Sequence, residues 1–193
     1  MRPFPSKQQD QDQYLVTVIS YDLEVILSQG DKDARVIMEM LNYFCHGIRT
    51  EIEATHPVRM VVDVSHSEVI WAISTARHPA FEKLLRRICQ QFLDFNNRLS
   101  TEGFEKMSIG FGIASGLVII GPHEAFGTTR TKAFACGKLA LEKQAIVISE
   151  EAAKQIDTAW CVGAFSIRFP TSGIRGGSQE ALVVDLRKFL GER

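Results

Sequence analysis

Little in this sequence singles out a partner by charge. Twenty-two basic residues face 23 acidic ones, for a formal net charge of −1, so no overall field draws in nucleic acid or an anionic membrane. No apolar run approaches the ~20 residues that a spanning helix needs, and Met1 to Gln13 is polar, with no apolar signal core. A soluble, unprocessed, cytoplasmic chain is the expectation. The four cysteines, Cys45, Cys89, Cys136 and Cys161, are far apart and form no CxxC pair; only His46 lies beside one of them. His46, His56, His66, His78 and His123 form neither HxxxH nor HExxH. Reduced, buried thiols and no resident cofactor are expected. No internal repeat or low-complexity tract is present.

With 193 residues and 45% hydrophobic content, the chain suits one domain with a substantial core. Residues 1–13, with Pro3, Pro5 and a Gln/Asp cluster, read as a flexible lead-in, and residues 14–193 as the domain. Leu15 to Tyr21 is β-branched and aromatic and ends on Asp22, which suits a central strand delivering a carboxylate at its edge. From Asp31, a plausible N-cap, Ile37, Met40, Leu41, Phe44, Ile48 and Ile52 recur at helical spacing. Val58 to Val64 and Val69 to Ile73 read as a hairpin with Ser65-His66-Ser67-Glu68 at its tip. Phe81, Leu84, Leu85, Ile88, Phe92, Phe95 and Leu99 form the cleanest helical stripe.

Met107 to Ile120 is expected to be a bent strand or strand pair, Thr131 to Lys143 a helix, and Ala145 to Ile148 a short strand. Ser149 to Ile156 reads as a capped helix, and Ala164 to Phe169 with Ala181 to Leu186 as a closing hairpin. The fold class is α+β: a ferredoxin-like βαββαβ core with a C-terminal αβαββ extension, its helices stacked on one face of a mainly antiparallel sheet.

The strand Phe111-Gly112-Ile113-Ala114-Ser115-Gly116-Leu117-Val118 carries glycines where backbone must bend or come close to a neighbour. It is similar to the Gly-Ile-x-x-Gly-x-Val strand of class III adenylate and guanylate cyclase domains. Val16-Thr17-Val18-Ile19-Ser20-Tyr21-Asp22-Leu23 resembles that family's opening strand, and Ile174-Arg175-Gly176-Gly177-Ser178-Gln179-Glu180 with Ala181 to Leu186 resembles its closing hairpin. The resemblance covers nearly all of residues 14–187. It implies a domain that pairs head to tail and joins a ribose 3'-hydroxyl to the α-phosphate of a purine triphosphate. In such a domain two divalent metals, magnesium or manganese, are held by two aspartates, and an arginine stabilises the transition state.

Against that pattern Asp22 takes the first metal position. Ser67 stands where the second aspartate belongs, and Glu68 is displaced by one residue, which on a strand flips the side chain. Asp63 takes the base-reading position, with a guanine-reading and an ordinary solvated role equally weighted. If Phe126 matches the family's tyrosine, Phe134 replaces the ribose-binding asparagine and Lys138 the transition-state arginine; the other placement puts Cys136 and Ala140 there. Neither supplies the asparagine. Pro122 to Ala125 also makes a short version of the arm that crosses to the partner. Arg130, Lys132 and Lys138 form a small basic cluster, read mainly as a solvated face.

The reading that results is a degenerate cyclase-like domain, a pseudoenzyme serving as a signalling or interaction module. It is expected to self-associate as a homodimer or to join a cyclase-like heterodimer, with no nucleic-acid or membrane partner. Val62, Val64 and Trp71 are the candidate apolar contact, with inward packing the alternative for Trp71. Two further readings stay open: an active nucleotide cyclase with a rearranged metal site using Asp22 with Glu68 or Asp63, and a nucleoside triphosphate sensor without turnover. Magnesium or manganese is expected only if the domain is active.

Overall fold

Strand β1 (Gln13–Tyr21) is an inner strand, because its β-branched and aromatic residues on both faces need cover on both sides. The computed structural model describes residues 13–22, 34–55, 63–65, 68–74, 81–120, 125–156, 159–170 and 178–191. Helix α1 (Ala34–Thr55) follows β1, then β2 (Asp63–Ser65), β3 (Glu68–Ser74), helix α2 (Phe81–Thr101) and β4 (Ile109–Leu117). Two short strands, β5 (Ile119–Ile120) and β6 (Ala125–Phe126), pair with each other and lead into helix α3 (Thr128–Lys143). The chain closes with β7 (Ala145–Ser149), a single helical turn α4 (Glu150–Ala153), β8 (Phe165–Pro170), β9 (Ser178–Asp185) and α5 (Leu186–Leu190).

Seven strands form one sheet in the order β2-β3-β1-β4-β7-β9-β8. β4 and β7 are parallel and every other neighbouring pair is antiparallel. The expected βαββαβ core and its extension are both present. The proposed N-cap Asp31 lies outside the described residues, as do Val58 to Val62 and the first 12 residues.

The two faces of the sheet are covered differently. Leu15, Ile19, Phe111, Ile113, Ile146, Ile148 and Val184 point to one side, where they meet Phe44 and Ile48 of α1 and the stripe from Phe81 to Leu99 of α2. The predicted stripe of α2 is buried along its whole length. Asn96 ties the end of that helix to the entry of β4: its side-chain amide donates to Met107 O at 3.0 Å and its Oδ1 accepts from Met107 N at 2.9 Å. Both halves of a buried amide are thereby satisfied.

The expectation of helices on one face holds for α1 and α2 and fails for α3, which lies on the opposite face against Val16, Val18 and Ala114. The physical reason is the absence of side chains. A Cβ on Gly110 would stand under 3.0 Å from backbone atoms of Ala140 and Leu141, and one on Gly112 equally close to Ala133, Cys136 and Gly137. The helix backbone rests directly on the strand, which only glycine permits.

The single turn α4 is capped as its sequence suggests, with Ser149 Oγ accepting from Ala152 N at 3.2 Å, although it is shorter than the predicted Ser149 to Ile156. Among the described residues no helix is long and apolar enough to cross a membrane.

Candidate functional site

β1 delivers Asp22 to the end of the sheet. The ladder with β4 continues one step past Tyr21, where Asp22 N donates to Ser108 O at 3.1 Å, and the residue is half-buried. Ser67 and His66 lie outside the described residues, and the side chains of Asp63 and Glu68 are not described, but the strand register locates their backbone positions. Glu68 stands opposite both Ser20 and Ser65, and Asp63 stands opposite Ile70, which in turn faces Val18. Because alternation has period two, positions 18, 20 and 22 of the first strand, 68 and 70 of β3, and 63 of β2 share one sheet face, the one carrying α3. A shift of one residue from Ser67 therefore keeps position 68 on the face of Asp22.

The same register corrects the apolar contact. Val64 stands opposite Val69, Val69 opposite Ile19, and Trp71 opposite Thr17, which places these positions on the face covered by α1 and α2. The apolar positions of β3 on the α3 face are Ile70 and Ala72, beside Asp63, Ser65, Glu68 and Ser74. Val62 lies outside the described residues.

Helix α3 sets out the second half of the candidate site. Arg130, Phe134 and Lys138 follow at intervals of four and so form one stripe along a flank of the helix. Phe134 is half-buried against the cluster of Tyr14, Val16, Val18, Ala114 and Ala133. The Arg130 guanidinium lies over its ring, 5.1 Å from the centroid. Lys138 is exposed. Cys136 and Ala140, the residues of the other placement, are completely buried between helix and sheet. A ligand reaching this helix therefore meets Phe134, not Cys136.

The expected basic cluster does not converge. Arg130 turns onto Phe134, while Lys132 crosses to α4 and pairs with Glu151 at 2.7 Å. Glu151 also accepts from Gln179 Nε2 at 3.4 Å, and Ser115 Oγ donates to Gln155 Oε1 at 2.5 Å nearby. Burial pushes the Glu151 carboxyl upward, but the hydrogen bond and charge of Lys132, with bonds to its own backbone and to Ser149, outweigh it and hold the group below its ordinary 4.5.

Burial pushes the Cys136 thiol up to about 12, with the Glu151 charge adding to the rise and Lys132 opposing it. Burial also raises Cys89, against the Arg86 charge, and raises Cys45, which a bond with Tyr21 partly offsets. These thiols are therefore poor nucleophiles. The expectation of four buried cysteines holds for Cys89 and Cys136, whereas Cys45 and Cys161 are only half-covered. Among the described residues no three His, Cys, Asp or Glu side chains converge.

No protein-family model matches the chain, and no curated protein matches it in sequence. Solved structures do match in three dimensions. The guanylyl cyclase Cya2 superposes with a TM-score of 0.68 at 13% identity, covering 90% of this chain and 93% of its own. This chain therefore has the fold of adenylyl and guanylyl cyclase catalytic domains. The adenylyl cyclase CyaB from P. aeruginosa gives 0.62 at 15% identity over 90% of this chain and 94% of that one. The non-canonical dimeric guanylyl cyclase domain of the RhoGC fusion protein from the aquatic fungus Blastocladiella emersonii gives 0.59 at 17% identity over 90% and 96%. Both purine specificities occur among these neighbours, so the likeness does not choose a base.

Proposed function

We propose that this cyclase-like domain has lost purine cyclisation and acts in the cytoplasm as a signalling or interaction module, pairing with a second copy or with a related cyclase domain. The observation that carries the reading is the flank of α3, where Phe134, packed into the sheet and covered by Arg130, stands in place of an amide able to hold a ribose. A phenyl ring offers no such hydrogen bond, and Lys138 in an arginine's place lacks the bidentate fork that spans a phosphate.

The donor set at the other end agrees. Two hard divalent cations call for paired carboxylates; Asp22 is one, and Ser67 brings no charge to the second position. The residues at the family's two positions do not fit a metal pair. Pairing as such is supported by the non-canonical dimer of the Blastocladiella domain; pairing through the α3 face would bring the Asp63, Ile70 and Ala72 positions to the partner.

The test is incubation of purified protein with ATP, GTP, CTP and UTP in magnesium or manganese, with mass spectrometry for cyclic products. No product is expected. One observation favours a second reading, an active cyclase with a rearranged site: position 68 shares the sheet face of Asp22. Cyclic product that vanishes in both Asp22→Ala and Glu68→Ala would establish that reading instead. Calorimetric triphosphate binding without product would select a nucleotide sensor that uses Asp63 or Phe134.

A further inference from the structure

The two edges of the sheet are unequal. β2 is three residues long, whereas β8 runs for six and pairs on one side only, with β9. Among the described residues no strand or loop backbone hydrogen-bonds to its outer side. Pro170 stands opposite Ser178 in the ladder and has no N–H, so its nitrogen belongs on the side away from β9. Alternation then turns the N–H and C=O of Ser166 and Arg168 to that same free side.

A free edge is commonly guarded by a charge or a proline. Pro170 closes one end of β8, but the strand's one charge, Arg168, is drawn inward. Its Nε lies 2.6 Å and its Nη2 2.5 Å from Glu180 Oε1, on the residue of β9 directly opposite. The charge is neutralised over the inner neighbour, and the edge from Phe165 to Phe169 is left unguarded. On the α3 side of the sheet the strand shows an apolar row, Phe165, Ile167 and Phe169. Phe169 and Ile167 pack into the core there, while Phe165 is 52% exposed.

We infer that β8 is a self-association edge, which a second copy of this chain extends antiparallel about a two-fold axis through Ile167. Opposed side chains share a sheet face, so the axis must pass through a residue. At Arg168 it would set two guanidiniums opposite each other and pair Ser166 with a proline that has no donor. At Ser166 it would run the pairing out of the strand to Ala164. At Ile167 it sets Phe165 opposite the partner's Phe169 and Ser166 opposite the partner's Arg168. Ser166 and Arg168 then exchange both backbone hydrogen bonds with the partner, and the exposed Phe165 gains an aromatic neighbour. The order aromatic, polar, aliphatic, polar, aromatic reads alike from either end. An isologous contact needs that symmetry, which selects a second copy over an unrelated strand. Five paired residues on each side bury well under the ~1,000 Å² of a stable interface, so the pairing is transient. The inference does not rest on the proposed function, because the edge is entered in the plane of the sheet and not across the α3 face.

The experiment traps the contact as a disulfide, in the full chain carrying Cys45→Ala and Cys161→Ala to remove the two half-covered thiols, under oxidised glutathione. Across the proposed axis the two Cα atoms at position 167 lie about 4.5 Å apart, within disulfide reach, whereas those at position 166 lie more than about 7 Å apart. Ile167→Cys should therefore give a covalent dimer whose bridge maps to position 167 by mass spectrometry, and Ser166→Cys should stay monomeric. Ser166→Pro, added to Ile167→Cys, removes a donor that β9 does not use, so the circular dichroism spectrum should be kept while the covalent dimer is lost. A monomeric Ile167→Cys would overturn the inference. Equal dimer yields from Ile167→Cys and Ser166→Cys would do the same, as would a yield that Ser166→Pro leaves unchanged. Loss of the cross-link in Ser166→Pro with reversible association still seen by sedimentation supports the inference and assigns the remaining contact to the separate pairing of the proposed function.

Discussion

The two faces of the sheet are held by different physics. Under α1 and α2 the contact is made of large apolar side chains, with Leu84, Leu85, Ile88 and Leu99 fully buried against Leu15, Ile19 and Ile109. Its stability scales with apolar area and comes in steps of a methylene. Under α3 the helix contributes chiefly glycine, alanine and a cysteine, with Phe134 and Leu139 only partly buried, and Gly110 and Gly112 of the sheet meet its backbone between Val16, Val18 and Val147. There little area is gained per residue, and the fit depends on atoms that are missing. The first face tolerates changes of shape and responds to lost volume; the second tolerates lost volume and responds to any added atom.

The sharpest way to break this comparison is to add atoms where none fit. Gly112→Val should cost more than about 4 kcal/mol, in the exceptional range for a single substitution, because its branched side chain meets backbone atoms of three α3 residues, Ala133, Cys136 and Gly137, and the helix must lift off the strand. Urea unfolding measures it; a loss below about 1 kcal/mol would mean that α3 is not seated as described. Next comes removal of atoms from the other face. Leu85→Ala should cost about 3 kcal/mol, within the range for buried leucine truncations, measured by the same unfolding curve.

Two glycine-to-alanine changes in helices sharpen the contrast. Gly137 of α3 faces β1, where an added Cβ would stand 2.8 Å from Ser20 Oγ and 3.2 Å from Val18 Cγ1. Ser20 Oγ is buried without a partner, so the clash has little room to relax. Gly137→Ala should lose about 1 to 2 kcal/mol by overpacking, even after the helix-propensity gain of about 1 kcal/mol, and Ser20→Gly in the same chain should recover part of it. Gly47→Ala in α1 meets only the flexible end of Gln91 at 3.0 Å. There the propensity gain balances the displaced amide, and a change within about 0.5 kcal/mol is expected. Equal losses at Gly137 and Gly47 would erase the distinction between the faces.

The same contrast explains how much could be read from the chain alone. α2 was legible because Phe81, Leu84, Leu85, Ile88, Phe92, Phe95 and Leu99 repeat with the helical period and all are buried. β1 was legible from its β-branched run. The side on which α3 packs was not, because Ala133, Cys136, Gly137 and Ala140 carry too little apolar surface to make a stripe. A signal did exist: Gly110 and Gly112 are two apart on a strand, hence on one face, and the small residues of α3 recur at three- and four-residue intervals. At the site, Asp22 was legible as the end of β1. The facing of positions 64, 68 and 71 depended on hairpin register, which a one-residue slip inverts, and no residue type in Ser65-His66-Ser67-Glu68 announces that register. The diversion of Lys132 to Glu151 is a contact between elements 19 residues apart, invisible to local pattern.

The smallest effect concerns that ion pair, which ties α3 to α4. The Glu151 carboxyl is held below its ordinary 4.5, so the folded state binds its proton less readily than the unfolded chain does. Its contribution is therefore complete above the unfolded value and is lost as pH falls through the lower folded value. The Glu151 side chain is 46% exposed, and solvent screening limits the pair to about 0.5 kcal/mol. Lys132→Met should thus lower the Tm slightly at neutral pH, and the gap from the parent chain should narrow once the pH drops below the ordinary carboxylate range. A gap of the same size in acid would assign the effect to the lost packing of the lysine stem rather than to its charge.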